Sequence, residues 1–445
     1  MGRVVSGTDE RVPVRSLLAL AVPALGVLAA EPLYVLVDTA VVGHTGALPL
    51  AGLALGGTLF TLVSSQLTFL TYGTTARTAR LHGAGRRRDA VSEGVQATWL
   101  GIAVGVVLLL LAQLFAVPIT QALAGPGPIA DAASGWLRIA LIGAPMVLVT
   151  MAGNGWMRGV QDTARPLRLV LIGNGASAVL CPLFVLLFDW GLPGSALANL
   201  IGQTVGAGLF LRALAVERVP LKPKPAQMRA QLGLGRDLVL RTLAFQACFL
   251  SATSVAARFG AQVAAAHQVV WQLWTFLALV LDSLAIAAQS MVGAALGGGS
   301  ARRAKAIAGQ VTWYGLWFGI ALGAVFASLA GVLPEAFTTD AGVLGEVPRA
   351  WWFFVALQPV AGVVFALDGV FLGAGDAAYL RTATVASALL CYLPMIWVSL
   401  ALGWGLTGIW VGLTLFMLGR LATLLLRARS GRWAVVGAAS ASTQV

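Results

Sequence analysis

Shifted by 214 positions, the chain falls into register with itself without a gap. Asp162 meets Asp376, Gly159 meets Gly373 and Pro145 meets Pro359. Gln96-x-Thr98-Trp99-x-Gly101 meets Gln310-x-Thr312-Trp313-x-Gly315, and Trp190-Gly191-Leu192-x-Gly194 meets Trp404-Gly405-Leu406-x-Gly408. The register holds from Gly46-Ala47, opposite Gly260-Ala261, to about residue 200. A fold built from this chain must therefore be two copies of one structural unit. In an apolar chain, that arrangement points to two equivalent helical bundles with a pathway between them.

The solvent of the unit follows from composition. Of 445 residues, 58% are hydrophobic and 10% charged, where a water-soluble domain carries about 25% charged residues. Lipid must cover most of this surface. A helix needs about 20 apolar residues to cross a hydrocarbon layer of about 30 Å. Twelve such stretches are present, near 14–38, 48–75, 91–117, 129–157, 166–188 and 193–214, then 237–259, 263–290, 306–332, 347–373, 381–402 and 405–427. The expected fold is an all-α polytopic membrane protein with twelve transmembrane helices in two parallel-repeat six-helix bundles. Six spans per copy keep both copies in one orientation, with the symmetry axis along the membrane normal. The expected division is a tail at 1–13, a first bundle at 14–220, a linker at 221–236 rich in proline and basic residues, a second bundle at 237–428 and a tail at 429–445. Beyond Arg432 the tail is small and polar and is expected to be disordered.

A net charge of +12 invites a nucleic-acid reading, but the placement of the charges argues against it. All of the 29 Lys and Arg residues except Arg138, Arg258 and Arg349 fall on the termini and even-numbered connections. That asymmetry is the positive-inside pattern and predicts both termini in the cytoplasm of a plasma-membrane protein. Attraction to anionic inner-leaflet lipid accounts for the excess. The expected partners are a small-molecule substrate and membrane lipid, with no nucleic acid, and the chain is expected to be a monomer.

Enzyme signatures are absent. No G-x-x-x-x-G-K-[ST] or H-E-x-x-H occurs, and His44, His82 and His267 are scattered. The lone G-x-G-x-x-G, Gly403 to Gly408, follows an apolar span and reads as a turn, as does its mate at Asp189-Trp-Gly191. Gly101-x-x-x-Gly105 and Gly315-x-x-x-Gly319 read as close-packing helix faces. Cys181, Cys248 and Cys391 lie inside spans without a C-x-x-C and read as small apolar side chains. No cofactor or metal is called for; the needed small species is a coupling ion, H+ or Na+.

Chemistry must then come from polar groups at membrane depth, where a charge costs at least about 2.5–3.5 kcal/mol. Glu31, Tyr34 and Asp38 share one face of the first span at i, i+3 and i+7. Pro23 and Pro32 interrupt the same helix and allow it to bend. Two acids on a bendable helix suit an ion-coupling switch, with Glu31 near an interface as the inert alternative. In the eighth span Thr275, Asp282 and Gln289 share a face, with Trp271 close by. Asp282 is either a cavity acid or a helix tie to a group such as Arg241. Asp368 is the repeat mate of Asn154, one copy holding an acid and the other an amide. Asp162 and Asp376 follow glycines and read as turn or capping residues.

These residues resemble a known family. Glu31-Pro32-Leu-Tyr34-x-Leu-Val-Asp38-Thr39-Ala-x-Val-Gly43-His44, followed by Leu50-Ala-Gly-Leu53, is similar to the first span and turn of MATE (multidrug and toxic compound extrusion) transporters, nearest their DinF-like branch. Arg158-Gly159-x-x-Asp162-Thr163-x-x-Pro166-Leu167, Ala265-Ala-His267-Gln268 and Asp282-x-x-Ala285-Ile-Ala-Ala-Gln289 agree. The resemblance implies a V-shaped pair of six-helix bundles. It also implies antiport, by alternating access, of drugs or toxic organic compounds, cationic or amphipathic, against protons or sodium. Asp38 matches the first-span acid that the family protonates, and Pro23 a proline at which that helix bends. Where the family's fifth span often reads N-x-x-N-x-x-L-D, this chain has Asn174, Ser177, Leu180 and Cys181. Loss of the second acid favours protons over sodium and leaves Asn174 and Asn154 as neutral partners. The rival readings are a carboxylate exporter, with Arg241 and Arg258 assisting, and, in other classes, a membrane-bound transferase or a lipid-intermediate flippase.

Overall fold

The computed structural model describes residues 13–438. Twelve helices in it are long and apolar enough to cross a membrane. In chain order they are α1 (Val14–Gly43), α2 (Ala47–Gly83), α3 (Arg87–Ala124), α4 (Pro128–Gly159), α5 (Ala164–Leu187), α6 (Gly191–Val216), α7 (Pro225–Arg258), α8 (Ala261–Gly297), α9 (Ala301–Ser328), α10 (Pro348–Gly373), α11 (Ala377–Leu402) and α12 (Gly405–Ser430). The expected count and fold class hold. The 214 offset also recurs in the boundaries: α8 repeats both ends of α2, α12 both ends of α6, and α10 the end of α4.

The chain divides into two compact units, Val22–Arg236 and the residues up to Ala21 together with those from Asp237 onward. One division falls inside α1, next to Pro23, and the other inside α7. Residues 221–236 are therefore not a linker throughout. Pro220 and Pro223 lie outside any helix, but Pro225 opens α7, a position proline fits because its missing N–H has no intrahelical role there. Val22–Arg236 is called the N unit below and the remainder the C unit.

Within each unit the repeat glycines do the same work. A Cβ on Gly101 or Gly105 would press on the backbone of Leu148 and Pro145 in α4. A Cβ on Gly315 or Gly319 would press on the backbone of Gly362, Gln358 and Pro359 in α10. Each pair lets two helices meet backbone to backbone, as their spacing suggests. The turn before α2 and the turn before α8 place Gly46 and Gly260 at φ 127° and 113°, where only glycine is unstrained. Asp189 and Gly403, mates at the start of the turns before α6 and α12, have φ 56° and 70°. These left-handed turns explain the G-x-G-x-x-G as geometry.

The copies also differ. α2 is interrupted at Thr68, between helical runs Ala47–Leu67 and Phe69–Gly83, whereas α8 runs unbroken through the mate position, Asp282. Wide π-type turns occur at Leu183–Leu187 in α5 and Ala388–Tyr392 in α11, which are not mates. The tail departs from its expected disorder as far as it is described. Trp433 is buried at 2% exposure. Its ring lies 5.9 Å from that of Phe371 in α10. Its indole N–H donates to the Ala428 carbonyl (3.2 Å), and the Gly437 N–H donates to the Leu296 carbonyl at the end of α8 (3.0 Å). The mates of Trp433 and Phe371, Val219 and Met157, share one apolar cluster in the N unit. The tail thus repeats the packing of the connector that follows α6. Residues 439–445 lie outside the described residues.

Candidate functional site

In the N unit the first-span face resolves into two buried groups and one exposed one. Tyr34 and Asp38 are each 4% exposed, while Glu31 is exposed. Proline rings at positions 23 and 32 sit within a continuous α1 and each removes one intrahelical donor. Asp38 reaches between α5 and α6. Its Oδ1 accepts the Ser195 hydroxyl at 2.6 Å and the Cys181 thiol at 3.2 Å. The Trp136 indole N–H of α4 donates to the Ser195 oxygen at 3.2 Å. Trp136 can only donate, so it turns the Ser195 proton toward the acid. The result is an ordered line of donors from Trp136 through Ser195 to Asp38; Trp136 and Cys181 belong to one buried apolar cluster with Val42, Leu141, Phe184 and Val185.

Cys181 is thus not merely a small apolar side chain: it stands where the resembled motif carries its second acid, and contacts Asp38. Ser195 and Trp136 were not picked out from the sequence. The available signal for Ser195 was a lone hydroxyl early in an apolar span, whose repeat mate is Ile409.

Among the described residues, neither Asn154 nor Asn174 hydrogen-bonds to Asp38; the acid's donors are Ser195 and Cys181. Asn154 is 7% exposed, with its Oδ1 buried and lacking a hydrogen-bond partner. The Tyr34 hydroxyl is likewise unpartnered. Ser177 is buried, and its hydroxyl makes only a long 3.5 Å contact to the Gly173 carbonyl one turn back. Asn174 is half-buried. Toward the basic end of the unit, Glu93 takes a two-pronged bond from Arg77 (2.8 and 2.9 Å) and a further one from Gln231 (2.9 Å).

In the C unit the acids are treated differently. Asp368, 4% exposed, sits against two guanidinium groups. Arg420 of α12 donates to Oδ1 at 2.7 Å and also contacts Oδ2; Arg241 of α7 donates to Oδ2 at 2.6 Å. The structure ties Arg241 to Asp368. Asp282 is half-buried and Gln289 fully buried on α8, while Thr275 is exposed, so the supposed common face is not uniformly enclosed. Asp162 accepts the Arg165 backbone N–H (3.0 Å) and caps α5; Asp376 holds Arg427 at 2.8 Å. Asp162 fits the capping reading; Asp376 stands at the N-cap position of α11 but caps nothing with its side chain, which pairs with Arg427 instead. Among the described residues no group of three or more His, Cys, Asp or Glu could hold a metal ion.

The model of the family described as MatE matches residues 23–183 and again 238–398, one match in each repeat. The chain belongs to the MatE family. It is 33% identical to "Protein DETOXIFICATION 44, chloroplastic" of Arabidopsis thaliana, over 95% of this chain and 84% of the relative. It is 30% identical to "DNA damage-inducible protein F" of Escherichia coli (strain K12), over 91% of this chain and 89% of that protein. Its fold matches the structure described as "Crystal structure of MATE in the bent conformation" with a TM-score of 0.88 at 21% identity, covering 96% of each chain. This MatE-family chain is accordingly a multi-pass efflux transporter, not an enzyme, and the DinF-like resemblance holds.

Proposed function

We propose that this MatE-family transporter exports small organic compounds, cationic or amphipathic, in exchange for protons, with Asp38 taking the coupling proton. The observation that carries the reading is the partner set of Asp38. Both donors reach Oδ1, and among the described residues none reaches Oδ2. Oδ1 can accept both donors whether the acid is ionised or neutral, and Oδ2 is left to carry a proton. A hard cation such as sodium favours several oxygen ligands without protons of their own, and a thiol is a poor substitute. Removing the charge by protonation also removes the cost of holding a carboxylate at membrane depth. Pro23 and Pro32 then allow α1 to respond, because each leaves the helix short of one hydrogen bond. The role of Glu31 is secondary in this reading, since its side chain is exposed.

One charge moving down about 150 mV supplies roughly 3.5 kcal/mol, enough for a gradient of a few hundredfold. The distribution of Lys and Arg supports a plasma-membrane orientation with both termini cytoplasmic. A monomer suffices, because the repeat supplies both bundles. The test is purified protein in liposomes, given pH and sodium gradients separately against a panel of organic cations and carboxylates. Export is expected to follow the pH gradient and to fall about a hundredfold or more in Asp38→Asn. Gradient-driven export at the wild-type rate by that variant would sink the proposal.

A further inference from the structure

The Arg241–Asp368–Arg420 cluster is unbalanced. Two guanidinium groups face one carboxylate, so the cluster carries a net +1 inside the C unit. Each guanidinium offers five N–H donors, and one carboxylate cannot absorb them. Nε of Arg241 and Nε of Arg420 are both buried and without a hydrogen-bond partner. Arg420 is 2% exposed and the Arg241 side chain 13%, so Arg241 is the more open of the two guanidinium groups.

Its walls are aromatic. The Arg420 and Arg241 guanidinium carbons lie 5.0 and 5.3 Å from the centre of the Phe245 ring, and Arg420 lies 5.8 Å from that of Phe416. From there Tyr392 stacks on Phe416 at 5.5 Å, and Phe249 lies 5.9 Å beyond Phe245. Ring faces offset part of a buried positive charge but accept no N–H in the plane of the guanidinium. An anion would satisfy both deficits at once, through charge-assisted hydrogen bonds to the unpartnered N–H groups. An aromatic ring attached to it would lie along Phe245 and Phe249.

We infer that the Arg241–Asp368–Arg420 cluster and the Phe245 wall form an anion-binding site for aromatic carboxylates. Asp368 is its built-in competitor: it occupies the two guanidiniums and limits affinity. The site extends the proposed range of compounds and does not depend on which ion drives export.

Binding in the absence of any gradient tests it directly. Full-length protein in phosphatidylcholine nanodiscs is titrated with benzoate, its neutral and cationic relatives benzamide and benzamidine, and ringless acetate, following the thermal midpoint and calorimetric binding. Benzoate is expected to bind and stabilise, at least about tenfold more tightly than the other three. Arg241→Gln should weaken benzoate about tenfold or more, and Asp368→Asn should tighten it by a similar factor. The gain is a change that mere loss of structure does not produce. Should Asp368→Asn fail to fold, Arg241→Gln alone still decides the matter. Equal binding of benzoate and benzamide, or unchanged affinity in Arg241→Gln, would overturn the site. Loss of benzoate binding in nanodiscs containing phosphatidylglycerol would also overturn it, by assigning the cluster to lipid headgroups.

Discussion

Asp38 and Asp368 are both buried acids on apolar helices, and their neighbours set them apart. Asp38 meets one hydroxyl and one thiol; Asp368 meets two guanidinium groups. The first can change charge at little structural expense, while the second is pinned by partners whose own charge would be left uncompensated. Breaking such a buried pair by removing one partner typically costs about 3–5 kcal/mol. The distinction yields a prediction at the first acid. Cys181→Asp would set a second carboxylate where the thiol now contacts Asp38, making a pair of oxygen donors. Sodium at about 100 mM is expected to raise the thermal midpoint of that variant by on the order of 2–4 °C, and to leave the wild-type midpoint unmoved. The same sodium response in both proteins would contradict it. The acids themselves were legible in the chain, because charge is rare in apolar spans. Their partners were not: Ser195 lies 157 residues from Asp38, and Arg420 lies 52 from Asp368.

At the scale of helices, the repeat speaks through glycine. Gly105 faces the backbone of Pro145 in α4, and Gly319 faces that of Pro359 in α10, so the contact is duplicated along with the sequence. A side chain at either position must push two helices apart. Gly319→Leu is expected to lower stability by about 1–3 kcal/mol or to block folding. Gly208→Ala, where nothing lies within 4 Å of the added carbon, should stabilise by a few tenths to about 1 kcal/mol. Thermal midpoints of the two variants check this, and equal shifts would refute it. Helix number and most helix ends were readable, since apolar length and glycine turns are local properties. The interruption of α2 at Thr68, with α8 continuous through Asp282, was not. Neither residue breaks a helix by propensity, so packing within each unit must decide it.

For the molecule as a whole, the duplication reaches farther than its sequence identities. Val219 and Trp433 share no chemistry beyond being apolar, yet both bury beside mates, Met157 and Phe371. The C unit therefore includes part of what looks like a polar tail. Trp433→Ala is expected to destabilise the protein by about 3–5 kcal/mol, read as a drop in thermal midpoint; an unchanged midpoint would show that the docking contributes nothing. From the sequence alone came the membrane class, the twelve spans, the two copies, the family and the acids worth attention. Each of these depends on composition, periodicity or a short motif, which are properties of neighbouring residues. The tertiary structure decided which acid meets which partner, where the division of the chain falls within α1 and α7, and that Cys181 stands against Asp38. Those depend on side chains brought together across long stretches of chain. One repeat register permits several such pairings, and close packing selects a single one.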